Sequence, residues 1–204
     1  MTANYANIKQ VIKEFLIPEQ HKTEPVYFYG RVLVYVFFLI WGFRLMKTPL
    51  NDQMMSFMHN INLPMHEAGH IIFSFLGDFM GVLGGTLMQL IMPAIVTGAF
   101  LLKNRDAFGA SIGLWWLGQS FMDSAPYIND ARAGELMLLG GVTGKEAPGY
   151  HDWENILGRL GWLQYDHLLA TVSFAAGIIL MLAALAWGGY MLYLQFQANQ
   201  DAYE

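Results

Sequence analysis

The sequence predicts an all-α fold: a polytopic helical membrane protein with about four to five membrane helices, one of them re-entrant. Three observations carry this reading. Hydrophobic residues make up 55% of the 204 positions and charged residues 13%, when a soluble domain carries roughly 25% charge. Several apolar runs are too long to be buried together in one small soluble core. The ends of these runs carry long cations and aromatics, the residues that settle at a membrane–water interface.

The length suits a single membrane-embedded domain, 1–204. Residues 1–25 mix Lys9, Lys13 and Lys22 with Glu14, Glu19 and Glu24 and show no signal-peptide pattern. We expect a surface segment there, with Val11, Phe15 and Leu16 as the apolar side of a short helix that Pro18 ends. The first crossing is Val26–Met46, flanked by Arg31, Arg44 and Lys47. A methionine-rich stretch, Asn51–Leu63, leads to Pro64, which suits the first turn of a helix. From Pro64 to Gly77 such a helix is only about 20 Å long, less than a hydrocarbon core.

Phe79–Leu102 is long enough to cross and holds Gly81, Gly84 and Gly85, which permit close helix packing. A polar turn, Lys103–Asp106, separates it from the apolar stretch Ala107–Met122. Residues 131–166 form the longest polar connection, and Leu168–Tyr193 is the last crossing. The tail, 195–204, is polar and expected to fray. The net charge of −5, with no basic run, speaks against a nucleic-acid partner. Cysteine is absent, which removes thiolate metal sites and cysteine nucleophiles from consideration.

The chemistry concentrates at His66-Glu67-Ala68-Gly69-His70. On a helix, residues i and i+4 share a face, so both imidazoles can address one ion. Glu67 lies beside them, able to accept a proton from water without being a ligand. Zn2+ held by three protein ligands keeps a position open and lowers the pKa of its water to roughly 7. Ala68 and Gly69 are small and leave room for a substrate backbone. Placing two histidines and a carboxylate in an apolar helix costs several kcal/mol unless a ligand compensates.

For a third zinc ligand we expect His151, with the adjacent Asp152 orienting its ring by a hydrogen bond. Asp123, at the end of an apolar stretch, is the rival. Glu135 ranks below both, and His59 and His167 read as interfacial histidines. Asp130 and Arg132 are placed to pair with each other on the surface.

Met65-His66-Glu67-Ala68-Gly69-His70 in a hydrophobic helix resembles the zincin metalloproteases, and among them the site-2 protease family of intramembrane enzymes. The resemblance implies a zinc protease working in or beside the bilayer, with His66 and His70 as ligands and Glu67 as base. It also implies an aspartate ligand from a later helix. Phe121-Met122-Asp123-Ser124-Ala125-Pro126 is the nearest match, but it lacks the family's Asp-Gly ending. The expected function is therefore hydrolysis of peptide bonds in a peptide or membrane-protein substrate. A non-enzymatic subunit or chaperone of a membrane complex, retaining a protease-like metal site, is the alternative. A di-iron oxygenase needs more histidines than the six present.

Membrane parity favours a re-entrant HEAGH helix, which puts HEAGH, Asp123 and His151 on one side; the N-terminus is assigned to the cytoplasm. In intact vesicles, Asn62→Cys and Lys145→Cys should then label from the same face and Asn104→Cys from the other. Co-labelling of positions 62 and 104 would restore a full crossing.

Overall fold

The computed structural model describes residue 10 and residues 13–201. Val11 and residues 202–204, on which part of the N-terminal helix and tail expectations fall, lie outside the described residues. Among the described residues, six α-helices of nine or more residues follow in order: α1 (Pro25–Lys47), α2 (Phe57–Ser74), α3 (Asp78–Gly98), α4 (Ala107–Asn129), α5 (Asp152–Leu160) and α6 (Asp166–Asp201). Among the described residues there is no named strand, only an isolated antiparallel bridge between Met137 and Thr143. The fold is thus all-helical, as expected.

Among the described residues, three segments are long and apolar enough to cross a membrane: Pro25–Lys47, Asp78–Lys103 and Leu163–Asp201. This is fewer than the four to five expected. The reason lies in α4, which has 23 residues yet carries Ser111, Gln119, Ser120, Asp123 and Ser124, all buried inside the protein. Its polarity is directed at neighbouring helices rather than at an apolar solvent.

Local signals explain most element ends. Pro25 opens α1, where a missing N–H costs nothing. The buried Gln53 amide donates to the carbonyls of Leu45 and Thr48 at 3.0 and 2.8 Å, satisfying backbone acceptors where α1 ends. Gly77, at φ 102°, makes the turn between α2 and α3. Gly161 caps α5 in the left-handed conformation (φ 69°), with Trp162 N–H returning to the Leu157 carbonyl at 2.8 Å.

Two boundaries differ from the sequence expectation. Pro64 does not open the HEAGH helix but sits inside it: Ser56 is the N-cap, its Oγ accepting from the Met58 N–H at 3.3 Å. At 18 residues, α2 is about 27 Å long, so shortness no longer argues for a re-entrant element. The tail also stays helical to Asp201, because Gln195 is buried and hydrogen-bonded to Arg31 and Thr23.

The chain divides into two compact units. The first comprises residues 1–44, 93–116 and 180–204, and the second residues 45–92 and 117–179. In the first unit, Trp115 packs edge-on against Phe38 at 4.8 Å, and Arg31 pairs with Asp106 at 2.9 Å. Residues 13–16 are helical there, ending before Pro18, and the Arg105 guanidinium lies 3.8 Å from the Phe15 ring centre.

The second unit contains the HEAGH helix, and its key contact is a backbone crossing of α2 and α3. A Cβ at Gly84 would stand 2.6 Å from both the Gly69 carbonyl oxygen and Phe73 Cβ. A Cβ at Gly69 would strike the Gly84 carbonyl and Met88. Gly69, inside the HEAGH motif, therefore serves helix packing, not substrate room. Gly84→Val should lower stability by about 1–3 kcal/mol through overpacking, read as a drop in thermal midpoint in detergent. An unchanged midpoint would contradict this crossing.

Candidate metal centre

Helix α2 presents His66 and His70 one turn apart, and the start of α5 brings Asp152 to meet them. His66 Nε2 lies 3.0 Å and His70 Nε2 3.3 Å from the same oxygen, Asp152 Oδ2. Ligands about 2.0–2.1 Å from a tetrahedral zinc ion stand about 3.3 Å from one another, so this spacing fits one ion. The three ligand atoms all lie within 4.8 Å of one another.

Backbone and glycine geometry favour ligation. His70 Nδ1 is 2.8 Å from the Gly81 carbonyl oxygen, which can only accept. Nδ1 therefore carries the proton, leaving the Nε2 lone pair for an ion. Across from both rings is Gly85, where a Cβ would stand 2.6 Å from His66 Nε2 and 2.7 Å from His70 Nε2. Any larger residue would displace the rings or take the space their nitrogens face. The donor set (two imidazoles and a carboxylate) suits zinc. Burial would raise the Asp152 carboxyl, but with no ion bound His66 and His70 donate to it and hold its pKa at about 2, while the same hydrogen bond lifts His70 to about 9; an ion would take the place of the Nε2 proton of His70. The group is an anion at any physiological pH.

The structure places the expected third ligand, His151, elsewhere. Its ring is fully buried, and Nδ1 accepts the Glu154 N–H at 3.2 Å, making His151 the N-cap of α5. Nε2 faces Asp130 Oδ2 at 3.3 Å, too poorly aligned for a hydrogen bond. Burial pushes this imidazole below its ordinary pKa, consistent with a neutral ring whose Nδ1 accepts. The expected roles are thus exchanged: Asp152 faces the HEAGH histidines, and His151 fixes the helix start from which Asp152 projects.

Asp123, the rival, is also engaged away from the trio. Its Oδ2 accepts from Asn62 and Gln89 at 3.0 Å each and contacts His59 Nδ1 at 3.2 Å. Glu135 forms an exposed pair with Lys145 at 2.6 Å. His167 bonds Asn129 at 2.6 Å and is largely exposed. Arg132 does not pair with Asp130. Its guanidinium forks onto the buried Asp166 at 2.8 and 2.7 Å, while Asp130 accepts the backbone N–H groups of Glu135 and Leu136.

Tyr127 is a site residue that the sequence reading missed. Its hydroxyl accepts the Asp152 N–H at 2.9 Å, and its ring packs 4.3 Å from that of His151. Nothing in sequence separates it from other tyrosines near a helix end. The trio and Tyr127 border a cavity of about 440 Å3 whose lining also includes Glu67 and Asp123. Glu67 is partly exposed there. The lining also includes Leu136, Met137, Leu138 and Leu139, an apolar stretch between α4 and α5.

Zinc titration of purified variants checks this geometry. Asp152→Ala should cost more than the roughly 10–100-fold typical of a lost outer-shell partner, and Tyr127→Phe should fall within that range. His151→Ala should disturb stability more than metal affinity; a greater loss of zinc in His151→Ala than in Asp152→Ala would reverse the assignment. Gly85→Val should lose metal. No protein-family model matches this chain, nor does any curated protein or solved structure, so the geometry itself carries the reading of the site.

Proposed function

We propose that the chain is a membrane-embedded zinc metallopeptidase, with His66, His70 and Asp152 as ligands and Glu67 as general base. The observation that carries this reading is the convergence of both HEAGH Nε2 atoms on one Asp152 oxygen, opposite a glycine that leaves their face bare. Three helices long and apolar enough to cross a membrane support placement in a bilayer.

When bound, zinc would supply Lewis acidity and an activated water at near-neutral pH. The chain's own residues do the rest. Glu67, adjacent to His66 and bordering the cavity, takes the proton from the attacking water and passes it to the leaving amine. His70 is held in its ligating tautomer by the Gly81 carbonyl. Tyr127 and the His151 cap fix the Asp152 backbone. The Leu136–Leu139 stretch limits water in the cavity and offers apolar contact to a substrate chain.

The test combines metal content with hydrolysis of a quenched-fluorescent peptide library in detergent. The wild type should bind one zinc and cleave, His66→Ala should lose metal, and Glu67→Gln should keep metal while losing at least about a hundredfold in rate. Stoichiometric metal with no turnover by the wild type against any peptide would favour the non-enzymatic subunit. Cleavage undiminished in Glu67→Gln would remove the proposed base.

A further inference from the structure

The same cavity holds a second polar centre, built by three helices. On α2, His59 precedes Leu63, His66, Glu67 and His70, and all five border the cavity. His59 Nδ1 lies 3.2 Å from Asp123 Oδ2 on α4. That oxygen also receives the Asn62 amide and, from α3, the Gln89 amide, at 3.0 Å each. Asn62 is itself held by Gln119, its amide donating to Oε1 at 2.8 Å. The Asp123 side chain is 1% exposed and that of His59 22%. Such a network is costly to bury unless it fixes something. What it fixes is the His59 ring: Nδ1 is committed to Asp123, and Nε2 remains for a partner in the cavity.

The spacing defines what His59 can reach. Seven residues separate it from His66, two helical turns and about 10 Å along the axis. That is too far for contact with a reacting bond at the trio. It matches about three residues of an extended peptide at roughly 3.3 Å each.

We infer that the His59–Asp123 pair is a substrate-anchoring subsite that hydrogen-bonds the main chain of a peptide about three residues from the bond being cleaved. His59 is the contacting residue, and Asp123 positions it. Either protonation state of Nε2 serves, since a peptide main chain offers both an N–H and a carbonyl. The inference rests on the metallopeptidase reading and assigns that site an extended peptide as its substrate class.

The test reads binding rather than turnover. The protein in detergent is loaded with Co2+, and its visible spectrum is titrated with capped oligoalanine peptides bearing a hydroxamate at either end. Alanine leaves only main-chain polar groups to be recognised. In the wild type, affinity should rise about tenfold when the chain becomes long enough to reach His59, as one good hydrogen bond allows. The step should vanish in His59→Ala and in Asp123→Asn, while the shortest hydroxamate binds all three proteins equally and their metal-loaded spectra agree. A step of the same size in His59→Ala, or no step in the wild type, overturns the subsite and leaves the metal centre standing. If Co2+ does not bind, or no hydroxamate changes its spectrum, the metallopeptidase reading and the subsite fall together.

Discussion

The site depends on how closely two helices approach. Where α2 meets α3, Gly69 faces Gly84 with no room for a Cβ on either side. That contact brings the α3 backbone within reach of the HEAGH rings. Gly81 then accepts from His70 Nδ1, and bare Gly85 stands against both Nε2 atoms. A bulkier pair at the crossing would push the helices apart and break the tautomer-setting hydrogen bond. In a protein interior as dense as an organic solid, that movement has no cheap alternative. Glycine, poor for helix propensity, is retained here because backbone contact is worth more than the propensity lost.

A second constraint is the start of α5. Capping preference ranks aspartate among the best N-cap residues, and Asp152 stands at the right place in sequence. In the structure His151 takes the cap by accepting the Glu154 N–H, and the aspartate is released to face the histidines. Tyr127 then ties the backbone of this residue to α4. The carboxylate is thereby held from a helix terminus rather than a free loop, and ligand geometry gains from rigid support. The Asp130 carboxylate, next to His151, in turn organises the backbone at Glu135 and Leu136, where the apolar stretch begins.

Buried polarity is concentrated rather than scattered. Asn62, Gln89, Gln119, Ser120 and Asp123 are all buried within the second unit, and their hydrogen bonds converge on one carboxylate oxygen and its neighbours. This is why α4 is long and helical without being apolar enough to cross by composition. Asp123 Oδ2 takes three of these contacts, while Asp123 Oδ1 and Gln119 Nε2 have no partner, so the order is centred on one oxygen. The His59 ring inherits that order through Asp123.

The sequence by itself determined the helical class, the long apolar segments and the motif that sets two imidazoles on one helical face with a carboxylate beside them. Each follows from local periodicity or spacing, and none needs a distant contact. It pointed to the connection that supplies the third group but named His151, with Asp123 as rival, and gave Asp152 only an orienting role, whereas the structure sets Asp152 against the HEAGH rings. His151 and Asp152 differ in which one the helix cap consumes: His151 takes the Glu154 N–H, and Tyr127, from another helix, holds the Asp152 backbone. It placed Pro64 at a helix start because proline suits that position, whereas Ser56 captured the cap and the helix ran through the proline. Gly85 and Gly81 read as generic packing residues until α3 was laid against α2. Tertiary structure decided these points because each depends on which side chain fills the space beside another helix, and a linear pattern of residues carries no measure of that space.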